Sequence, residues 1–151
     1  MLNTSLTHPD ILAALSRAGH GSMVLIADGN YPAATASGRY ATMVPLNVRP
    51  GLVAATDLLE AVAAVQPVEA AYVMEPDRDG TGAEDGDPEI WGDYARILAA
   101  SGSPVDLEGI ARHAFYDRCR QDDVTLVVHT GEPRLYANLL LQLGVVAPAS
   151  P

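Results

Sequence analysis

The chain contains no lysine; all nine of its basic side chains are arginines, set against 19 acidic residues for a formal net charge of −10. Such a surface repels phosphate backbones and anionic lipid, which argues against nucleic acid or a membrane as partner. With a single cysteine, Cys119, no internal disulfide can form, and a reducing, cytoplasmic compartment is the expectation. The opening residues, MLNTSLTHPD, lack the basic start and apolar core of a signal peptide. No apolar run approaches the ~20 residues that span a bilayer. Histidines 8, 20, 113 and 129 form no His-x-x-x-His pair and the cysteine has no Cys-x-x-Cys partner, so a metal could be held only by distant convergence. Ser22 lies in no G-x-S-x-G elbow, and Gly19-His20-Gly21 lacks both the G-x-G-x-x-G spacing and a lysine. A serine-hydrolase triad and a phosphate-cradling loop are therefore disfavoured.

What is present is enough for a core: 151 residues, 48% of them hydrophobic, predict one domain over residues 1–151. HPDILAALSRAGHG reads as a short helix, with Pro9 at its first position, Asp10 near its positive end and Gly19 as its stop. MVLIA (23–27) is a continuous apolar run bounded by turn residues, the pattern of a strand covered on both faces. A weak strand is expected near 42–46, a helix over 56–65 capped by Thr56 or Asp57, and a buried strand over 70–75. Residues 76–89, rich in Gly, Pro and Asp, read as a solvated loop. A helix then runs from Asp87-Pro88 to about Ala100 and stops at Gly102. A further helix covers 110–121, with Phe115 and Cys119 one turn apart. VTLVVHT (124–130) is a strong strand and 135–146 a final one. Helices alternating with apolar strands define an α/β class with a largely parallel sheet.

His20 is the leading catalytic candidate. The flanking glycines leave its imidazole uncrowded, and an ordinary pKa of about 6.5 suits it to give and take protons near neutrality. Read alone, it is equally a surface histidine at a helix end. Asp28 ends the MVLIA strand, and ligands of open α/β sheets bind outside the carboxyl ends of strands; read alone, it is an ordinary Asp-Gly turn. Arg112, Tyr116, Tyr136 and Asn138 offer cationic and neutral hydrogen-bonding groups. His129, inside an apolar strand, is expected to be a satisfied core or interface histidine.

Taken in order, HPDILAALSRAGHG, LIADGNYP, RHAFYDR and TGEPRLYANLLLQLGV resemble the L-fucose mutarotase / D-ribose pyranase family of sugar isomerases. The resemblance covers nearly the whole chain. NYP after Asp28, together with RHAFYDR, is more similar to the fucose branch. The resemblance implies a sheet sandwiched by helices, a three-layer α/β/α arrangement. It implies rings of subunits, often decamers, with monosaccharide sites at subunit interfaces, and no cofactor. By motif position it implies His20 as the proton-donating histidine and Asp28 as a sugar-binding acid. It likewise implies Arg112 as the basic sugar contact and Tyr136, Ala137 and Asn138 as the binding segment. The chain departs from the family pattern at Ser22, at Gly29 and in about two extra residues between Arg112 and Tyr136; these departures bear on the preferred sugar more than on the reaction.

The implied chemistry is ring opening. The ring oxygen gains a proton from His20, and the anomeric hydroxyl loses one to Tyr136 or to a held water. The aldehyde rotates and the ring recloses. Tyr31 and Tyr116 could pack on a sugar face. An extended path of eight residues at about 3.3 Å each would put His20 and Asp28 about 26 Å apart, so a sharp fold-back or a site shared between neighbouring subunits is required, and the shared site is favoured. The alternatives are a ribose-type pyranase and a sugar-binding module without turnover.

Overall fold

A computed structural model describes residues 2–77, 86–102 and 104–147; part of the loop expected over 76–89, residues 78–85, lies outside them. The elements follow the chain as α1 (Pro9–Arg17), β1 (Met23–Ala27), β2 (Thr42–Pro45), α2 (Ala55–Ala63), β3 (Val68–Glu75), α3 (Glu89–Ala100), β4 (Leu107–Ala111), α4 (Arg112–Cys119), β5 (Val124–His129) and β6 (Leu139–Leu143). The six strands form one sheet in the order β2-β5-β1-β6-β3-β4. β1 is parallel to β5, β5 to β2, and β3 to β4, whereas β6 runs antiparallel to both β1 and β3. Five strands therefore point one way, and the single reversed strand lies among them. The expected α/β class with a largely parallel sheet is found.

The apolar run of β1 is buried on both faces, as its composition requires. Val24 and Ile26 face a core shared with α1, α2 and α3. Met23, Leu25 and Ala27 face a second core with Phe115 and Cys119 of α4 and the loop carrying Tyr31, Ala33 and Ala36. This alternation is the two-residue period of a strand. Three helices thus cover one face, while a single helix and a loop cover the other. α1 buries Ile11, Ala14 and Leu15. α3 buries Ile90, Tyr94, Ile97 and Leu98 and stops at Gly102, whose φ of 83° is the left-handed geometry of a helix stop.

Four sequence expectations change. β4, absent from the sequence reading, precedes α4 as an edge strand; with no residue fully buried, its strand character comes from pairing with β3. Consequently α4 begins at Arg112 rather than at 110. The cap of α2 is Ala54, and Asp57, three residues in, accepts the Ala54 N–H at 3.1 Å. The final strand is confined to 139–143, because Tyr136 adopts φ 55° and breaks the extended path before it.

Candidate active site

At the carboxyl end of β1 the chain turns through Asp28. Its side chain is 3% exposed yet well supplied with donors. Asn138 Nδ2 donates to Asp28 Oδ2 at 2.8 Å and the Asn30 N–H donates to Oδ1 at 2.9 Å. In return the Asp28 N–H donates to Asn138 Oδ1 at 2.9 Å. This reciprocal pair bridges 110 residues of sequence and joins the end of β1 to the start of β6. Burial pushes the Asp28 carboxyl above the ordinary range, and the N–H groups of Asn30, Ala137 and Tyr31 pull against it. Every one of these neighbours donates, so the carboxylate's remaining lone pairs are suited to accept from hydroxyl groups.

Asp28 and Asn138 form the floor of a hollow of about 200 Å³ with Arg112, Tyr116, Tyr136, Met74 and Leu135 around it. At roughly 30 Å³ per liquid water that volume holds six or seven waters, the scale of one small ring. Arg112 and Tyr116 come from the first turns of α4, oriented by Phe115, which is fully buried between them in sequence. The Tyr116 hydroxyl beside Arg112 raises the guanidinium's pKa further, so the hollow keeps a fixed positive group. Tyr31 also lines the hollow, its ring centroid 5.6 Å from that of Tyr116. Its hydroxyl donates to the Ala36 carbonyl at 2.7 Å, so that hydroxyl is already engaged within the chain.

The Tyr136–Asn138 segment is held from behind by α3. Trp91 Nε1 donates to the Tyr136 carbonyl at 3.1 Å and Tyr94 Oη to the Ala137 carbonyl at 2.6 Å, while the Asp77 N–H donates to the Tyr136 hydroxyl at 3.4 Å. These bonds fix the left-handed Tyr136, a conformation that costs a non-glycine residue of order 1–3 kcal/mol and is found where a side chain must be aimed. Ala137 itself is fully buried; it contributes backbone rather than side chain.

Next to the hollow, Glu132 is 1% exposed. Arg134 grips it twice, Nε to Oε1 at 2.8 Å and Nη2 to Oε2 at 2.9 Å, and also reaches Asp93 at 3.1 Å. The first N–H of α2, that of Ala55, donates to Glu132 Oε2 at 3.3 Å. Burial alone would raise the Glu132 pKa, but the paired bonds from Arg134 outweigh it and hold the group below the usual 4.5. A folded-state pKa below the unfolded one stabilises the fold above about pH 4.5 and stops doing so as the pH falls through the folded value. Glu132→Gln is therefore expected to lower the melting temperature at pH 7, with the gap to wild type closing below pH 4.5; melting curves across pH 3–7 check it.

Of the sequence candidates, the structure brings Asp28, Arg112, Tyr136, Ala137 and Asn138 together and leaves His20 elsewhere. His20 precedes β1 and Asp28 follows it, and the five-residue strand alone spans about 17 Å. The imidazole is 59% exposed and its Nε2 lies 2.8 Å from Glu69 Oε2. His129 is half-buried and its Nε2 has no hydrogen-bond partner among the described residues, so a histidine satisfied within the core is not found. The sequence reading missed Trp91, Tyr94 and the Glu132–Arg134 pair. Tyr94 left one signal: a phenol on the buried stripe of α3 needs a polar partner inside.

A polar, tyrosine-walled hollow at the carboxyl rim of a predominantly parallel sheet defines a small-molecule-binding α/β domain. Residues 1–146 match the RbsD / FucU transport protein family, and the chain belongs to that family. It is 36% identical to the fucose mutarotase of Bos taurus over 151 residues, covering 95% of this chain and 92% of that protein. Among solved structures, the fucose mutarotase of Streptococcus pneumoniae in complex with L-fucose superposes with a TM-score of 0.78 at 27% identity, over 97% of this chain and 100% of that one. The RbsD of Bacillus subtilis complexed with D-ribose, 23% identical with a TM-score of 0.72 over 97% of this chain and 100% of that one, shares the fold. Among the described residues no group of three or more His, Cys, Asp or Glu could hold a metal ion, and no helix is long and apolar enough to cross a membrane.

Proposed function

We propose that this chain is a sugar isomerase that interconverts the anomers of L-fucose by acid–base ring opening, working as a single domain in the cytoplasm. The observation that carries this reading is the buried Asp28–Asn138 pair facing Arg112 and Tyr136 across a ring-sized hollow, in a chain so similar to fucose mutarotases. Sugars are neutral and dense in hydroxyls. Asp28 accepts from them, Arg112 donates, and Asn138 holds the acid in place.

The proton donor is His20 of a neighbouring copy. As imidazolium it protonates the ring oxygen while a water held beside Tyr136 takes the proton of the anomeric hydroxyl, or Tyr136 accepts that proton as it passes its own phenolic proton on to water. The C1–O5 bond breaks, and the electron pair of the departing hydroxyl proton forms the aldehyde. Rotation about C1–C2 presents the other face, and the same transfers run backwards to close the ring. Each positioned group supplies roughly 10²–10⁴-fold.

Two ends of one strand that must meet at one sugar require a contact between copies; a head-to-tail contact supplies it and closes into a ring where its rotation permits. Both rims expose apolar side chains fit for such a contact: Val145 and Val146 beyond β6 at the His20 end, Val48 and Leu135 at the Asp28 end. The assembly is a ring, ten copies being the count the family resemblance implies.

Exchange spectroscopy by NMR on equilibrated aldoses tests the reading. Anomer exchange of L-fucose above the buffer rate, lost in His20→Ala, is the expected result. Acceleration confined to pyranose–furanose exchange of ribose would make the protein a pyranase. Ligand line broadening without exchange would make it a binding module.

A further inference from the structure

We infer that a second hollow on the same rim is a subsite for a further sugar ring, so that the chain acts on disaccharides with L-fucose at the reducing end as well as on the free monosaccharide. The inference rests on the reading of the chain as a mutarotase. The second hollow, of about 370 Å³, lies between the turn after β1, the segment after β2 and the turn after β5. It meets the first at Asn30, which lines both. At roughly 30 Å³ per water it holds about twelve waters, room for one more ring and its solvent. Ring opening needs only the anomeric hydroxyl to be free. The hydroxyls of L-fucose at C2, C3 and C4 can each carry a substituent while the ring opens and closes.

The lining suits a neutral polyol. Asn30, Asn47 and Arg49 border the hollow. Among the described residues the two side-chain amides make no hydrogen bond within the chain, and the Arg49 guanidinium reaches only the Pro50 carbonyl, at 3.5 Å. Pro50 and Pro133 add apolar surface, giving the mixture that a sugar ring requires. Glu132 also borders the hollow, but its oxygens are taken by Arg134 and the Ala55 N–H. Its charge opposes that of Arg49, which favours an uncharged guest over an anion. The walls are pinned in advance. The Gly51 N–H donates to the Gly131 carbonyl at 2.7 Å, the Gly131 N–H to the Val53 carbonyl at 3.1 Å and the Leu46 N–H to the His129 carbonyl at 2.7 Å. A Cβ on Gly131 would lie 2.6 Å from the Arg49 carbonyl oxygen, so this close approach needs glycine. Val53 takes φ 59°, an outlier for a β-branched residue, and such strain gathers at ligand clamps. Val48, on the lip of the hollow, belongs to the proposed contact between copies, so the neighbour borders the same space.

Exchange spectroscopy on the intact assembly tests the inference, with L-fucose and its 2-, 3- and 4-O-β-D-glucosides as probes, each with a free reducing end. The expected result is anomer exchange above the buffer rate for at least one glucoside, with an apparent affinity equal to or tighter than that for L-fucose. The linkage that works identifies the hydroxyl directed at Asn30. Asn47→Ala and Arg49→Ala, both at exposed positions, should each weaken the apparent affinity for that glucoside about tenfold, the effect of a lost hydrogen bond or two. Rate and affinity for L-fucose, and the melting temperature, should stay as in wild type. Exchange confined to L-fucose, as when the neighbouring copy fills the hollow, overturns the inference and leaves the mutarotase reading standing. Variants that keep full affinity for the glucoside, or that lose L-fucose equally, overturn it too. If wild type accelerates neither sugar, the mutarotase reading fails and takes the inference with it.

Discussion

His20→Ala is expected to lower the rate of anomer exchange by roughly 10²–10⁴-fold while leaving the melting temperature and L-fucose binding nearly unchanged. The side chain is more than half exposed and its contact with Glu69 lies at the surface, so its removal opens no cavity. A mixing experiment makes the prediction sharper. His20→Ala supplies an intact hollow without a donor; Asp28→Ala supplies a donor with a defective hollow. Each variant alone is expected to be inactive. In a head-to-tail ring formed by unfolding and refolding equal amounts together, about a quarter of the contacts pair an intact donor with an intact hollow. Activity should return to about that fraction of wild type. Failure to complement, with mixed rings shown by mass spectrometry, would place both groups in one subunit's site, against the separation imposed by β1.

The second large effect belongs to Asp28. Asp28→Asn is nearly isosteric, yet it sets donor against donor. Oriented to accept from the Asn30 N–H, the new amide turns its NH₂ towards Asn138 Nδ2. If Asn138 flips to relieve that clash, its own NH₂ meets the N–H of residue 28. Either way one buried donor is left unmatched, at about 1–3 kcal/mol, which for a chain of this length lowers the melting temperature by roughly 2–10 °C. The opposing gain is relief of a buried charge whose pKa burial pushes up against the pull of its N–H donors. L-fucose affinity should fall by about a hundredfold, since an acceptor for its hydroxyls is gone. The exchanged pair Asp28→Asn with Asn138→Asp restores one acid and one amide across the same gap. Most of the lost stability should return, a coupling read from the double-mutant cycle by thermal melts.

The sequence displayed whatever was written in local pattern. The five apolar residues of β1, the helices α1 and α3, and Gly102 as a helix stop were all readable because burial and backbone conformation select residue types directly. Counting eight residues from His20 to Asp28 left a sharp fold-back or a site shared between copies, and His20 lies beside Glu69 before β1 while Asp28 follows that strand. What escaped notice depends on partners distant in sequence. Leu107–Ala111 looks like no strand because its side chains are half-exposed or exposed and only the ladder to β3 makes it one. Nothing local to GEPR shows that Glu132 lies buried between Arg134 and the start of α2. The direction of β6 was equally hidden: LLLQL would be as apolar running either way. The bonds from Trp91 and Tyr94 that fix the Tyr136 segment join residues more than forty positions apart.

That lone reversed strand divides labour between the two margins of the molecule. The segment leading into it places Tyr136 and Asn138 at the margin that would sense every hydroxyl of the guest, and its end anchors the loop that carries His20, the proposed proton donor. Proton delivery concerns only the hemiacetal, which all aldoses share. Adapting the scaffold to a different monosaccharide is thus a matter of rewriting one margin, around Asn30, Met74, Arg112 and Leu135, while the other is left untouched.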